Sequence, residues 1–188
     1  YISHLIPLKL FFYFQKKTVI TSRIDKMKIA IICPDDVSIV LFCKEIIIQL
    51  KNKNNKIFIL CDKFQNNNYY IDIIKNLGCQ HQLVKIHRFI SPIKDLYYLY
   101  SLNKIIKIEK FDIVINISTK PNIYGSIVAK WNNVGIIICA VWGFGITMAK
   151  RKTLKDKTVF MIFKTLYGIA FKKTHKIWFT NPNYAKTG

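Results

Sequence analysis

Acidic residues are scarce in this sequence. Ten Asp and Glu stand against thirty Lys and Arg, a formal net charge of +20 on 188 residues. So one-sided a balance suits an anionic partner such as nucleic acid, anionic lipid or a phosphorylated ligand, or else reflects scattered solvated lysines. Glycine is scarce too, with seven in all. None of them falls in a G-x-G-x-x-G run, so the usual cradle for a nicotinamide or flavin dinucleotide is missing. No apolar run reaches the roughly 20 residues that cross a bilayer as a helix. Cys33, Cys43, Cys61, Cys79 and Cys139 are odd in number and show neither C-x-x-C nor metal-ligand spacing with histidine. They read as small buried hydrophobes in a reducing compartment, with no metal site. His4, His81, His87 and His175 are scattered, and no carboxylates are paired beyond Asp35-Asp36, so no nucleophile–base set emerges. Apolar residues, at 51%, exclude a disordered chain.

Residues 1–26 stand apart from the remainder of the chain. Their apolar run, 5–14, contains Pro7 and Lys9 and is followed, not preceded, by Lys16-Lys17, which is the wrong order for a signal peptide. They are expected to be an upstream extension outside the fold, with 27–188 forming one domain. From Met27 the pattern alternates. Short, nearly continuous apolar runs predict strands over 28–33, 56–61, 81–86, 112–117, 134–141 and 176–180. Between them helices are expected over 37–51, 69–77 (closed by Gly78), 92–108, 122–132 and 158–171. The helix opening at Ser91-Pro92 has its N-cap, its first-turn proline and Asp95 near the positive dipole end. Ile93, Leu96, Tyr97, Tyr100, Ile105 and Ile108 read as the face it turns to a sheet, with the tyrosines Tyr97, Tyr98 and Tyr100 there for packing. Strands separated by helices imply right-handed βαβ units and a mostly parallel sheet. The fold class expected is α/β, a Rossmann-like three-layer αβα sandwich.

In such a sheet the ligand crevice lies at the carboxyl ends of the strands. Three loops fall there. Pro34-Asp35-Asp36 follows the first strand. Ser118-Thr119-Lys120 follows the fourth and runs into Pro121-Asn122-Ile123-Tyr124-Gly125-Ser126, which opens a helix. Gly143-Phe144-Gly145 follows the fifth, where two glycines let backbone approach something closely or make a tight turn. On residues alone, the second loop is either an ordinary βα turn or a ligand site at a helix start.

The run Thr119-Lys120-Pro121-Asn122-Ile123-Tyr124-Gly125-Ser126 resembles the helix-opening segment of family 4 glycosyltransferases of the type that builds bacterial surface polysaccharides. Other pieces agree. Ser91-Pro92-Ile93-Lys94-Asp95-Leu96 resembles that group's "NPLKDL", and Phe111-Asp112-Ile113-Val114 its "PDLVH". Gly143-Phe144-Gly145 sits where the group has "GLG", and Phe179-Thr180-Asn181-Pro182 resembles "FQNP". The resemblance implies one half of a GT-B fold, the acceptor-binding N-terminal domain. The nucleotide-sugar donor and the E-x7-E motif would belong to a C-terminal domain absent from this sequence. It implies substrate-binding roles for Thr119, Lys120, Asn122, Tyr124, Ser126, Gly143 and Gly145, and the place of Asp35 and Asp36 at the carboxyl end of the first strand makes them substrate-binding candidates as well. Within these, Lys120 would meet an acceptor phosphate, and Asn122, Tyr124 and Ser126 would meet sugar hydroxyls. No cofactor and no metal are implied. Ile117 and Ser118 stand where many members have histidine, and Asp35-Asp36 where many have glycine or histidine.

The expected function is thus acceptor binding for transfer of a sugar from a nucleotide-sugar to a lipid-linked or glycan acceptor. The expected location is cytoplasmic, at the inner face of the plasma membrane. Contact with anionic lipid is expected through Lys150, Arg151, Lys152, Lys155 and Lys157, at about 1 kcal/mol per basic residue near the surface. Two alternatives stand beside it. One is a basic Rossmann-like nucleic-acid-binding module, which would need stacking aromatics outside the apolar runs. The other is an inactive truncated gene product.

Overall fold

The computed structural model describes residues 26–65, 67–142 and 153–179, with the side chains of 154–156 excepted. Apart from Lys26, the expected upstream extension lies outside the described residues, as does the Thr180–Pro182 run. In chain order the elements are β1 (Lys28–Asp35), α1 (Asp36–Phe42), α2 (Lys44–Lys51), β2 (Lys56–Asp62), α3 (Tyr69–Asn76), β3 (Gln80–Leu83) and α4 (Pro92–Glu109). Then come β4 (Ile113–Ile117), a π-helical turn (Pro121–Gly125), α5 (Ser126–Trp131), β5 (Ile136–Val141), α6 (Leu154–Lys172) and β6 (Lys176–Phe179).

The six strands form one sheet in the order β3-β2-β1-β4-β5-β6, and every neighbouring pair is parallel. Successive side chains point to opposite faces of a strand. Ile29, Ile31 and Cys33 of β1 therefore join Ile39, Ile47, Leu50 and Ile74 from α1–α3 in one core layer. Ala30 and Ile32 join Tyr98, Leu102 and Ile106 of α4 and Val128 and Ala129 of α5 in the other. Ile123, Val141, Phe163 and Tyr167 make a third cluster under α6. This is the Rossmann-like αβα sandwich expected from the sequence, with a wholly parallel sheet. The winding reverses between β1 and β4, the point at which sheets of this kind open a crevice between the loops leaving the strands' carboxyl ends.

Several elements differ from the sequence reading. The helix expected over 37–51 is two helices, because Cys43 leaves helical geometry at φ −112°. Neither glycine nor proline marks that break. β1 runs on through Pro34 to Asp35, and β3 is only Gln80–Leu83, a short edge strand whose residues are at most half-buried. Gly78, at φ +73°, closes α3 as expected. The largest correction concerns α4. Its sheet-facing side carries Asp95, Tyr98, Leu102 and Ile106. Tyr98 is 1% exposed, whereas Ile93 is 85% exposed, and Leu96, Tyr97, Tyr100 and Ile108 also face solvent. Of the face expected to pack, Ile105 alone lies against the core. Apolar residues occupy both sides of this helix, and Asp95 turns inward because a cation from another element meets it.

Candidate functional site

The site is built on the backbone that leaves β4. Ser118 holds φ +78°, a left-handed conformation costly for a residue with a side chain. It is pinned there: Ser118 N–H donates to Ala140 O on β5 at 3.2 Å, and Ser118 O accepts from Asn122 N–H at 2.9 Å. Pro121, with no N–H of its own, opens the π turn. Such single turns are uncommon and recur at functional sites.

From this segment the side chains diverge in three directions. Asn122 and Ser126, both fully buried, point into the sheet. Asn122 Nδ2 donates to Ala140 O at 3.0 Å. Ser126 Oγ accepts from Asn116 Nδ2 at 3.1 Å and lies 3.0 Å from Cys139 Sγ, which in turn lies 3.4 Å from Thr174 Oγ1. Gly125 fits against this network because it lacks a Cβ. That carbon would sit 2.0 Å from Asn116 Oδ1.

Lys120 and Tyr124 point instead toward the start of α4. Lys120, 6% exposed, donates to Asp95 Oδ1 and, at 2.8 Å, to Phe89 O. Asp95 Oδ2 also accepts from Ser91 N–H at 3.3 Å. The pair is desolvated, so each charge depends on the other. Burial, then the Asp95 charge and a hydrogen bond with Asp95, push the Tyr124 phenol up to about 12. The Tyr124 ring meets Tyr98 edge-on, 6.0 Å between centroids.

Thr119 is half-buried and turns to α6. There burial pushes the Tyr167 hydroxyl up to about 12, against the opposite pull of hydrogen bonds with Thr119 and Asn122.

At the end of β1 the two carboxylates fasten loops. Asp35 caps α1 by accepting Ser38 N–H at 2.7 Å, and the buried Asp36 accepts Phe64 N–H at 2.9 Å. Asp62 at the end of β2 does the same for Lys63 and Ile86. The structure thus gathers Thr119, Lys120, Asn122, Tyr124 and Ser126 on one segment, while Asp35 and Asp36 bond toward the α1 layer. Gly143, Gly145, Lys150, Arg151 and Lys152 lie outside the described residues, as does the side chain of Lys155; Lys157 is exposed on α6. All five cysteines are buried free thiols. Among the described residues, no group of three His, Cys, Asp or Glu side chains could hold a metal ion. Among those residues also, no helix is long and apolar enough to cross a membrane.

Sequence reading missed two contributors. Asp95 was legible only as a helix-dipole residue, although an acid among apolar neighbours, three residues before a buried tyrosine, is a signal for a buried counter-ion. Tyr167 carried no signal separable from core packing.

A family model described as glycosyl transferase 4-like matches residues 25–181. The chain belongs to that family. The match bears out the resemblance carried by the Thr119–Ser126 run and does not favour the nucleic-acid alternative. Among curated relatives of this glycosyl transferase 4-like chain is the UDP-Gal:alpha-D-GlcNAc-diphosphoundecaprenol alpha-1,3-galactosyltransferase of Escherichia coli. It is 39% identical over 90 residues, which are 48% of this chain and 22% of that enzyme. The solved MurG of Acinetobacter baumannii superposes with a TM-score of 0.56 at 12% identity, over 84% of this chain and 42% of MurG. A UDP-N-acetylglucosamine 2-epimerase gives 0.54 at 12% identity, over 87% of this chain and 43% of the epimerase. The chain therefore spans less than half the length of these proteins. The two structural likenesses establish the shared GT-B-type Rossmann half, which carries transferases and epimerases alike.

Proposed function

We propose that this chain is the acceptor-binding half of a glycosyltransferase of surface polysaccharide synthesis. It serves transfer of a sugar from a nucleotide-sugar to a lipid-linked or glycan acceptor. The observation that carries this reading is the 39% identity to an enzyme whose name gives a UDP-sugar donor and a GlcNAc-diphosphoundecaprenol acceptor. The geometry supports it. Thr119 and Tyr124, both half-buried, stand at the carboxyl end of β4 on a segment held at its start by Ser118. In the proposal these two meet the acceptor sugar. Lys120, whose ammonium is held by Asp95 and Phe89 O, acts by fixing the position of the segment against the start of α4. Asn122 and Ser126, fully buried, hold the segment in register. Asp35 and Asp36 shape the β1 loop. Transfer in this scheme depends on holding acceptor hydroxyl, anomeric carbon and leaving diphosphate together.

The test is calorimetric titration of the full chain with GlcNAc-diphosphate carrying a short polyprenyl tail. Saturable binding is expected, weakened about tenfold in Thr119→Val/Tyr124→Phe, a loss of about 1.4 kcal/mol, with an unchanged circular dichroism spectrum. Absence of saturable binding by the parent chain defeats the reading.

A further inference from the structure

We propose that a cleft at the amino-terminal end of the sheet binds an anionic sugar, a pyranose ring carrying a phosphate or a carboxylate. The cleft has a volume of about 410 Å³, within the range of small-molecule sites. It lies between the carboxyl ends of α4 and α5, beside the residues that lead into β4 and β5. The segment proposed to bind the acceptor leaves the other end of β4, so the two sites are separate. Ile106 and Phe111 form the floor. Both are buried, and Phe111 meets Phe58 edge-on with 5.1 Å between centroids.

The polar and aromatic groups around that floor identify the ligand. Trp131 is 58% exposed, so its indole is open to an incoming ring. The π face of an aromatic ring is negative and attracts the weakly positive C–H face of a pyranose. Asn132 Nδ2 donates to Asn103 Oδ1 at 2.8 Å and to Val128 O at 2.9 Å. Both amide hydrogens are then used, and Asn132 Oδ1 is left to accept. The exposed Asn133 adds a donor and an acceptor, and Trp131 Nε1 a further donor. Sugar hydroxyls both donate and accept, and so match a mixed set. Lys107 and Lys110 supply the charge. Both are exposed, and neither pairs with an acid among the described residues. Glu109, between them in sequence, is taken by Lys28 at 3.3 Å and by Gln82 at 3.2 Å. Among the described residues, no acidic side chain lines the cleft. Lys110 also holds φ 52°, the left-handed conformation in which helices commonly end on glycine or asparagine. The dipole of a helix end favours lysine nearby but does not call for one in that conformation. An ammonium lining the cleft gives the lysine a use there.

The test is calorimetric titration of the full chain with trigalacturonic acid and, separately, with glucose-1-phosphate. Saturable binding of at least one is expected, and the probe that binds tells carboxylate from phosphate. Trp131→Ala and Lys107→Ala/Lys110→Gly should each weaken it at least about tenfold. Trp131→Phe should retain most of it, because a π face remains. These positions are exposed, and glycine suits the backbone at Lys110, so the circular dichroism spectrum should not change. Lys44→Ala, exposed on α2 in the opposite layer, should bind like the parent. No saturable binding of either probe by the parent, equal affinity for neutral maltotriose, undiminished binding in Trp131→Ala or equal loss in Lys44→Ala overturns the proposal. So does tighter binding of AMP than of glucose-1-phosphate, since a base then lies on Trp131. A chain that binds a probe but fails the acceptor titration upholds this cleft while defeating the acceptor reading.

Discussion

Gly125→Ala is expected to destabilise this protein although helix propensity favours it. Gly125 sits at φ −62°, ψ −39°, a conformation any residue adopts. In an isolated helix alanine would gain about 1 kcal/mol over glycine. In the fold, the new methyl would lie 2.0 Å from Asn116 Oδ1 and 2.9 Å from its Cγ. Asn116 cannot yield cheaply. It is fully buried on β4, which is hydrogen-bonded to β1 on one side and β5 on the other, and its Nδ2 is held by Ser126 Oγ at 3.1 Å. Turning the amide away forfeits that bond, at about 1–3 kcal/mol for a buried group. Overfilling the core adds about 1–3 kcal/mol. After the propensity gain, the expected net loss is about 3 kcal/mol. With a urea dependence of about 2 kcal/mol per molar, the unfolding midpoint falls by roughly 1.5 M. Asn116→Ala removes the obstructing oxygen. The double variant Asn116→Ala/Gly125→Ala should therefore be less damaged than the sum of the singles, by about 1 kcal/mol or more. An unchanged or raised midpoint for Gly125→Ala, or strict additivity in the cycle, would refute this reasoning.

Two further outcomes rest on buried groups. Lys120→Met leaves Asp95 charged and unmatched in a desolvated pocket and should cost about 3–5 kcal/mol in urea unfolding, with Lys120→Met/Asp95→Asn recovering much of it; a parental midpoint for the single variant would show that the pair is not what holds the α4 start. Burial pushes the Cys43 thiol up to about 12 and Cys79 up to about 11 from the ordinary 9.0, so the unfolded chain releases these protons first. Stability is then full below pH 9 and falls as pH rises toward 12, by about 1.4 kcal/mol per pH unit for each thiol still protonated in the fold. Cys43→Ala should flatten the decline in urea midpoints measured from pH 8 to 11, and a flat parental profile would contradict it.

The central strands were legible because they are buried on both faces, and continuous runs such as Ile29–Cys33 and Ile113–Ile117 allow little else. The site segment was legible as a place, through Pro121 after a β-branched run. The directions of its side chains were not. Thr119, Lys120 and Asn122 go to three different neighbours, and those neighbours, Tyr167, Asp95 and Ala140, come from distant parts of the chain. The face of α4 was misjudged for a related reason. Periodicity detects an apolar stripe only against a polar background, and here the outer side is apolar while an acid lies inside. The break at Cys43 left no trace because a small buried thiol ended the helix without a glycine or proline.

The strand order also has a kinetic consequence. Ile29 of β1 pairs with Ile57 on one side and with Ile113 on the other. As the chain leaves the ribosome, β1, β2 and β3 can associate early, but the second edge of β1 stays open until β4 has been made. Closing it takes a long loop, and non-local parallel pairing is slow. For that interval the apolar strand at the centre of the finished sheet is an unprotected edge. Aggregation during synthesis should therefore respond to charge placed on β1 far more than to charge on β3 and β6, the edge strands among the described residues.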